Sequence, residues 1–533
     1  MTARPILEVA SELGLREHDV ELRGRGKAKV ALGALERPPR GAGRLVLVSA
    51  INPTPAGEGK TTVAIALAMG LRRLGKRAVL ALRQPSLGPI FGSKGGATGG
   101  GRATLVPADD INVHFTGDIH AVGAAHNLLA SMVDNALYWK ERYGGAELDP
   151  RRITWGRVLD SEDRSLRQSL IGLGGPAHVV PRSERFDITA ASEVMAILAL
   201  AAGTADLEAR LARIVVGYTT AGQAVTAADL GVPSAMTALL RDALLPNLVQ
   251  TAEGGAALVH AGPFANIAHG CSSVLATRLA MHLGDYAITE AGFGFDLGGE
   301  KFLDIKCRTA GVWPRVVLLV VTLRALETHG GLDHLDKHLE SIAAFGLRPV
   351  VALNLFATDR PASVEALGAA MTSRGVAFAS CEGHGRGGEG ATDLARVVSD
   401  AVDATDSRPP EPRYLYALDA PFEDKARAVA RMAYGARDVQ LTAGATDDLA
   451  LVRALGHDRL PVCFAKTHLS LSDDPSVLGR PRDFVLTIRE IRAATGAGML
   501  VALTGDVTTM PGMPRDPSAR RIHLLPDGRI GGL

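Results

Sequence analysis

The chain has 533 residues, enough for about three domains of ordinary size, although one large core with appendages fits equally well. Lys and Arg number 58 against 57 Asp and Glu, and this balance argues against a large electropositive surface for nucleic acid. With 47% hydrophobic and 22% charged residues, the composition is that of a globular protein and excludes wholesale disorder.

The N-terminal residues lack the apolar stretch of a secretory signal. The longest aliphatic runs, such as residues 316–321, fall far short of the ~20 residues that a membrane helix needs. Four widely spaced cysteines form no metal-binding pattern and indicate reduced thiols; they are Cys271, Cys307, Cys381 and Cys463. We therefore expect a cytoplasmic protein with neither a nucleic-acid nor a membrane partner.

The first strong structural signal is the apolar run RLVLVSAI at residues 44–51, which predicts a strand buried on both faces. After a glycine-rich turn, residues 61–74 carry apolar side chains at helical spacing, and Gly75 is a plausible end to that helix. The run RAVLALR at residues 77–83 predicts a second strand. Strand, helix and strand in this order form a βαβ unit, so we expect a parallel sheet in which these two strands are neighbours.

The turn between the first strand and the helix, TPAGEGKTT, is a candidate phosphate-binding loop. Backbone N–H groups of such a turn converge on phosphate oxygens, Lys60 can reach the β- and γ-phosphates, and the Thr61 hydroxyl can bind Mg²⁺. The strict GxxxxGK[ST] pattern requires Gly at position 54, where this chain has Thr. The alternative is a helix-entry turn with a solvated lysine. We refer to the segment as loop 54–61, and its predicted ATP-binding residues are Thr54, Pro55, Ala56, Gly57, Glu58, Gly59, Lys60 and Thr61.

A second glycine cluster, LGPIFGSKGGATGGG, follows the second strand. Arg83 stands at the carboxyl end of that strand, where parallel sheets bind their ligands, and an arginine there can hold a carboxylate or phosphate through two hydrogen bonds. Lys94 adds charge in the same loop. A mobile surface loop with Arg83 in a structural ion pair is equally consistent with the spacing alone.

The next segment, NVHFTGDIHAVGAAHNLL, contains Asp118 and three histidines, His114, His120 and His126. Their spacing matches no zinc signature, so we predict a helix with hydrogen-bonded histidines and no transition-metal site.

Further along the chain, strand-like runs occur at residues 316–323, 349–356, 484–488 and 499–505, and helical patterns at 193–201 and 425–434. The Pro-rich segment 406–421 predicts a linker or surface crossover. The predicted fold class is α/β, with a P-loop NTPase-like parallel sheet, helices on both faces and smaller α/β domains towards the C-terminus. The predicted domains are a nucleotide-binding domain at 1–355, a second α/β domain at 356–460 that contributes to the ligand site, and a small domain at 461–533.

Several blocks resemble the formate–tetrahydrofolate ligase family and occur in order from about residue 45 to the C-terminus. The most specific are TPAGEGKTT, LRQPSLGPIFGSKGGATGGG, VTLRALETHGG, RFDITAASEVMAIL, GPFANIAHGCSSVLATR, TEAGFGFDLGGEKFLDIKCR, LPVCFAKTHLSLSDDP and TGDVTTMPGMP. The resemblance implies ATP-dependent ligation of formate to tetrahydrofolate through formyl phosphate, giving 10-formyltetrahydrofolate, ADP and phosphate. It also implies Mg²⁺ with ATP, stimulation by K⁺ or NH₄⁺, a substrate that can be polyglutamylated, and a homotetramer.

The resemblance implies particular roles for individual residues. Arg83 matches the family arginine associated with formyl phosphate, and Asp118 matches an acidic position near the folate. Phe356 matches a phenylalanine that stacks on pterin or adenine; a core phenylalanine at a strand end is the alternative. His384 stands where relatives often have a stacking tryptophan.

The chain departs from the family pattern at four places. They are Gln84 for the usual glutamate, Arg102 for a tyrosine, His384 for the tryptophan, and His468-Leu469 for Gln-Tyr. These departures leave open a related ligase for another small carboxylate, a nucleotide-dependent switch ATPase, or a non-catalytic homologue.

Overall fold

The computed structural model describes residues 3–55, 57–175, 177–265, 268–505 and 507–533. A large mixed sheet forms the centre, and seven of its strands run parallel to one another. In spatial order these are Ala256–Val259, Ala78–Leu82, Tyr286–Glu290, Arg44–Ala50, Val316–Val321, Pro349–Asn354 and Ala377–Cys381. The antiparallel end of the sheet contains Asn247–Thr251, Ala28–Val30, Val20–Leu22, Ala103–Val106 and Gly99–Gly100.

Helices cover both faces of the parallel region, as predicted. Val46, Val48 and Ala50 alternate with Leu45 and Leu47 along one strand, and each set lies in a separate apolar core. The first set packs with helices Lys60–Arg73 and Thr392–Asp403, and the second with helices Val274–Leu283 and Leu332–Ala344. The coarse prediction of an α/β fold with a mainly parallel sheet is confirmed.

The remaining α-helices surround this framework and the smaller sheets. They are Ile6–Glu12, Leu87–Phe91, Ala108–Asn112, Asp118–Trp139, Glu193–Leu200, Thr204–Ala212, Pro233–Leu240, Arg308–Ala310, Leu323–Thr328, Pro361–Ser373, Gly383–Arg386, Phe422–Val429 and Ala443–Ala454. Within the described ranges, no helix combines the length and apolar character needed to cross a membrane.

A second four-stranded sheet lies towards the C-terminus, with the order Asp438–Leu441, Val485–Ala494, Met499–Thr504 and Val462–Ala465. A third contains Ala224–Thr226, Val215–Thr219, Ala146–Ile153 and Arg142–Tyr143. Three two-stranded ribbons pair Ser169–Ile171 with Arg182–Glu184, Arg157–Leu159 with Phe186–Ile188, and His523–Leu524 with Ile530–Gly531.

The predicted first strand, helix and second strand are present at Arg44–Ala50, Lys60–Arg73 and Ala78–Leu82. The prediction that the two strands are neighbours is wrong, because Tyr286–Glu290 lies between them and pairs with both. Chain order gives no information about a strand that enters the sheet about 200 residues later.

Strand Ala377–Cys381 lies beyond the domain boundary predicted at residue 355, and it pairs with Pro349–Asn354 in the central sheet. The division of the chain into domains stays a prediction.

A buried segment, residues 295–307, connects the central sheet with the second sheet and consists of two π-helical stretches, Phe295–Gly299 and Phe302–Cys307. Its Lys301 donates to the Phe464 carbonyl in the second sheet at 2.9 Å, and its Asp296 forms an ion pair with Lys466 at 3.2 Å. Two further carboxyl groups of this segment, Glu300 and Asp304, are buried, and burial raises the pKa of both, that of Asp304 to about 7.

Candidate functional site

The carboxyl ends of the parallel strands place several polar groups along one edge of the sheet. Loop 54–61 follows Arg44–Ala50, and Arg83 follows Ala78–Leu82. Glu290 ends the strand between these two, so its carboxylate lies between the loop and the arginine. Parallel sheets place ligands at this edge, and the structure brings together here the two regions that the sequence indicated.

Loop 54–61 is fixed from outside by side chains of its own and of neighbouring strands. The Glu58 carboxylate is buried and accepts from the Thr54 N–H at 2.7 Å, the Thr54 hydroxyl at 2.9 Å and the Thr322 hydroxyl. The Glu58 carbonyl accepts from Asn354 Nδ2 at 3.1 Å, and the Gly57 carbonyl accepts from Arg324 Nη2 at 3.0 Å. Both carbonyls therefore point away from the concave side of the loop.

The concave side presents backbone donors. In the part of the chain that the structure describes, the N–H groups of Glu58, Gly59 and Thr61 have no recorded backbone acceptor. Gly57 and Gly59 have φ of +76° and +70°, the left-handed conformation that glycine adopts without strain. Unused N–H groups at the start of a helix favour an anion. Ala56, which was predicted to belong to this loop, lies outside the described residues.

The first two helical residues connect the loop with the neighbouring strand. Lys60 Nζ donates to the Phe293 carbonyl at 2.5 Å, and the Thr61 hydroxyl donates to Glu290 Oε2 at 2.8 Å. Burial lowers the pKa of Lys60 to about 8; Glu290 opposes this shift, and Arg83 and Lys94 add to it. Lys60, Arg83 and Lys94 therefore form a cationic cluster, and the carboxylates of Glu290 and Glu58 lie near enough to Lys60 to oppose the shift.

Arg83 is poised for a ligand. Its Nε is buried and has no hydrogen-bond partner among the residues that the structure describes, and a β-carbon at Gly292 would lie 3.1 Å from its Nη1. Desolvation and then repulsion from Arg83 lower the pKa of Lys94, so the two side chains are electrostatically coupled. The buried amide of Gln84, the next residue, leaves its Oε1 without a partner. A buried guanidinium N–H that lacks an acceptor among the described residues suits a small polar anion.

Phe356 and His384 follow the adjacent strands Pro349–Asn354 and Ala377–Cys381. The Phe356 ring is 41% exposed, which weighs against a buried core role, and the Arg324 guanidinium lies 5.5 Å from its centroid. His384 is exposed, and a β-carbon at Gly100 would lie 3.3 Å from its Cδ2. The two rings thus flank the sheet edge beside loop 54–61, where a flat ligand has access.

Asp118 begins helix Asp118–Trp139 and is buried. One carboxylate oxygen accepts from Lys29 Nζ at 2.6 Å and the other from Asn247 Nδ2 at 2.7 Å. Lys29 is also fully buried, so the carboxylate balances a buried charge. The proton-accepting role predicted for Asp118 stays a prediction, and these contacts identify a structural role beside it.

His126 lies in the middle of the same helix and is hydrogen-bonded, as predicted. Its Nδ1 lies 2.8 Å from the Ser192 hydroxyl, and its Nε2 lies 3.1 Å from the Gly156 carbonyl. Burial lowers the pKa of His126 to about 4, so the ring is neutral at physiological pH.

His468 and Lys60 both contact Phe293. Its ring stacks on Phe293 with a centroid distance of 4.2 Å, and the Phe293 carbonyl is the acceptor for Lys60. Asn52 Nδ2, just before loop 54–61, donates to the His468 carbonyl at 3.1 Å. Burial lowers the pKa of His468 to about 4, so its imidazole stacks as a neutral ring.

Sequence reasoning missed the groups that support loop 54–61. The sequence could have predicted Thr322 and Asn354 as site residues, since each is a polar residue at the end of a predicted apolar strand. The sequence feature that indicates Glu290 is weaker: the residue ends a short run with β-branched residues before a glycine-rich turn. Arg324 and Phe293 carry no local signal, because their roles come from contacts with residues more than 200 positions away.

Comparison with known proteins provides a separate line of information. A family model described as formate–tetrahydrofolate ligase matches residues 1–533. A formate–tetrahydrofolate ligase of Myxococcus xanthus (strain DK1622) is 58% identical over 550 residues, covering 100% of this chain and 99% of the relative. Two proteins of the same name, from Paracoccus denitrificans (strain Pd 1222) and Hyphomonas neptunium (strain ATCC 15444), are 51% and 50% identical, with at least 97% of every chain covered.

Proposed function

The chain belongs to the formate–tetrahydrofolate ligase family, and we propose that it joins formate to tetrahydrofolate with ATP, giving 10-formyltetrahydrofolate, ADP and phosphate. The observation that carries the proposal is the cationic group of Lys60, Arg83 and Lys94 beside the N–H groups of Glu58, Gly59 and Thr61, which have no backbone acceptor among the described residues. We propose further that this loop acts as the phosphate loop of a P-loop NTPase-like sheet.

In the first step, a formate oxygen attacks the γ-phosphorus of ATP. The bond from that phosphorus to the bridging oxygen breaks, ADP takes the electron pair, and formyl phosphate forms. Lys60 leaves the Phe293 carbonyl and neutralises charge on the transferring group, while the backbone donors of the loop hold the phosphates. Arg83 presents a planar fork to the carboxylate and later to the mixed anhydride.

In the second step, N10 of tetrahydrofolate attacks the formyl carbon. The bond from carbon to the phosphate oxygen breaks, phosphate leaves with the electron pair, and N10 loses its proton. The proposed acceptor of that proton is Asp118, which must serve this role while it remains paired with Lys29. Arg83 holds the departing phosphate, so one guanidinium serves both steps.

The oxygen donors beside the loop fit Mg²⁺, which prefers hydroxyl, carboxylate and phosphate oxygens. Thr61 and Glu290 already lie 2.8 Å apart and would hold the ion together with ATP. When bound, the ion supplies charge neutralisation to the β- and γ-phosphates.

We propose that the exposed Phe356 and His384 rings line a ring slot, the binding place for the pterin or the adenine ring. The two residues follow adjacent strands, which lie second and third from Arg44–Ala50 in the sheet. An imidazole offers less stacking area than an indole, so we expect weaker ring binding than a tryptophan at position 384 would give.

Three further properties are proposed from the family resemblance alone: stimulation by K⁺ or NH₄⁺, a homotetramer, and acceptance of polyglutamylated tetrahydrofolate. The absence of nucleic-acid and membrane partners is proposed from the charge balance and the short aliphatic runs. A cytoplasmic location is proposed as well, and it is supported by Cys271, Cys307 and Cys381, which are buried and free.

Gln84 favours one alternative, a ligase for another small carboxylate. A neutral amide beside Arg83 changes the hydrogen bonds available to the acid, and its Oε1 is unpartnered. Acetate and bicarbonate are therefore the substrates to compare with formate.

The test is an assay of ADP release and formyl-folate formation with formate, Mg-ATP and tetrahydrofolate, from which each is omitted in turn. We expect formyl-folate only when all three are present, and ADP release at least about tenfold slower with acetate or bicarbonate. ADP release that needs no acid, or is faster with another acid, would contradict the proposed function.

A further inference from the structure

Arg324 makes two contacts that the proposed reaction does not use. It lies in the first turn of helix Leu323–Thr328, directly after strand Val316–Val321. Its Nη2 donates to the Gly57 carbonyl at 3.0 Å, and its guanidinium lies 5.5 Å from the centroid of the Phe356 ring. One side chain therefore spans the distance from loop 54–61 to the proposed ring slot.

The contact with Gly57 determines the direction of a backbone donor. In a planar peptide, the carbonyl oxygen and the following N–H point in opposite directions. Because Arg324 holds the Gly57 carbonyl on the outer side, the Glu58 N–H faces the concave side, where the proposed phosphates bind. Asn354 holds the Glu58 carbonyl in the same way and directs the Gly59 N–H.

The helix that carries Arg324 is itself anchored to the loop. The Thr322 hydroxyl accepts from the Ala325 N–H at 3.0 Å and donates to the Glu58 carboxylate. The backbone at residue 324 is thus fixed relative to the loop. Only the side-chain torsions of Arg324 have to be ordered for its guanidinium to reach the Gly57 carbonyl.

The contact with Phe356 determines which ring face is available. A guanidinium over one face is held there by the ring quadrupole and leaves the opposite face for a ligand. It also raises the positive charge next to that face, which favours an electron-rich or anionic flat ligand. Phe356 is fixed at its backbone, since its N–H donates to Asp359 Oδ2 at 2.8 Å.

We propose that Arg324 is a positioning residue that couples phosphate binding at loop 54–61 to binding of the pterin ring at Phe356. The inference rests on the proposed function for its ligands. It adds a residue outside the phosphate and formate contacts that sets the affinity for the nucleotide and for tetrahydrofolate by two separable interactions.

Two substitutions separate these interactions. Arg324→Ala removes both, so we expect the dissociation constant of Mg-ADP to rise about tenfold and the KM for tetrahydrofolate to rise about threefold. Arg324→Lys keeps a charged donor for the Gly57 carbonyl but has no planar group to stack while it donates. We therefore expect the lysine variant to recover nucleotide affinity to within about threefold of wild type and to keep the raised KM for tetrahydrofolate.

The matched control is Arg374→Ala. Arg374 is an exposed arginine at the end of helix Pro361–Ser373, and it pairs with Asp336 of helix Leu332–Ala344. Both affinities should stay unchanged there, and all three variants should melt within a few degrees of wild type. The Mg-ADP measurement needs no turnover, so a failure of the proposed reaction would show in the omission assay of the wild type and not here.

Unchanged affinities in Arg324→Ala, within twofold for both ligands, would overturn the coupling. A lysine variant that recovers both affinities, or neither, would overturn the assignment of two separate contacts. A lower melting temperature with both affinities intact would reduce Arg324 to a structural role.

Discussion

At the scale of single residues, Lys60 combines a hydrogen bond inside the protein with a lowered pKa. Its ammonium group donates to the Phe293 carbonyl at 2.5 Å, and burial keeps its pKa near 8. The ammonium group is therefore charged at neutral pH. It can exchange the Phe293 carbonyl for a phosphate oxygen as its hydrogen-bond acceptor without first gaining a proton.

We expect Lys60→Ala to lower turnover by about a hundredfold or more, because the transferring phosphoryl group loses a fixed positive charge. The measurement is kcat for formyl-folate formation, with the melting temperature as the control for folding. Near-native turnover in a folded Lys60→Ala protein would show that loop 54–61 has been assigned the wrong role.

Arg83→Lys keeps the charge and removes the planar fork. We expect formate-dependent turnover to fall by about tenfold or more, while the dissociation constant of Mg-ADP changes little. Steady-state kinetics with varied formate, beside ADP binding by calorimetry, separate the two effects. An unchanged rate would remove Arg83 from the site of the acyl phosphate.

Asp118 has two roles to separate, the proposed proton acceptor and the partner of Lys29. Asp118→Asn leaves Lys29 buried without its counter-ion, and we expect the free energy of unfolding to fall by about 3 kcal/mol or more. The double variant Lys29→Met with Asp118→Asn removes both charges and should regain much of that stability.

Turnover of the double variant decides the chemical role. If Asp118 takes the N10 proton, kcat stays at least about tenfold below wild type although stability is regained. Recovery of turnover together with stability would leave Asp118 with a structural role alone. Urea unfolding and the coupled assay on the same preparations give both quantities.

At the scale of elements, the geometry of loop 54–61 depends on a glycine with φ of +70° that packs against a neighbouring strand. A β-carbon at Gly59 would overlap Asn354 Nδ2, so Gly59→Ala combines a strained φ with a clash. We expect Mg-ADP binding to weaken by at least about tenfold, because the Glu58 carbonyl loses its support.

Gly75→Ala is the matched control. Gly75 has φ of +76° and nothing lies within 4 Å of its added β-carbon, so the substitution introduces the same backbone strain in open space. A similar loss of Mg-ADP affinity in both variants, measured by calorimetry, would contradict the specific role of the Asn354 contact.

Local patterns were sufficient for the first strand, the helix and the second strand, because each is a run of apolar side chains with a glycine turn at its end. They were not sufficient for Tyr286–Glu290, whose five residues carry no distinctive alternation and whose place depends on pairing with strands more than 200 residues earlier. The same limit hid Glu290 from the predicted Mg²⁺ site, although Thr61 was identified.

The segment 295–307 shows a different limit. It carries Asp296, Glu300, Lys301, Asp304 and Lys306, and so many charges in so short a stretch normally indicate an exposed helix. The structure buries all five. Four of them have a partner from another part of the chain: Lys466 for Asp296, the Phe464 carbonyl for Lys301, the Leu415 N–H for Asp304 and the Thr277 hydroxyl for Lys306. The Glu300 carboxyl oxygens have no hydrogen-bond partner among the described residues. No local pattern supplies those partners.

At the scale of the whole molecule, this segment makes the stability of the protein depend on pH. Burial raises the pKa of Asp304 to about 7 in the folded chain and raises the pKa of Glu300 well above its usual range, so the native state retains protons that the unfolded chain releases above about pH 4. A raised carboxyl pKa stabilises the native state below the unfolded pKa, and this contribution is lost as pH rises to about 7.

We expect Asp304→Asn to flatten that dependence, because the amide does not titrate. Between pH 4 and pH 8, the free energy of unfolding of the wild type should fall by about 2 to 4 kcal/mol more than that of the variant. Urea unfolding at four pH values measures it. Parallel curves for the two proteins would show that the pKa of Asp304 is not raised in the folded chain.

The insertion of Tyr286–Glu290 between Arg44–Ala50 and Ala78–Leu82 also has a consequence for synthesis on the ribosome. The two earlier strands leave the exit tunnel with backbone edges that cannot pair with Tyr286–Glu290 until roughly 200 more residues are made, which takes about 10 to 40 seconds of translation. A nascent chain that stops near residue 285 contains Lys60 and Arg83 but lacks the strand that places them side by side. We expect such chains to recruit a holding chaperone, and release to coincide with the emergence of that strand.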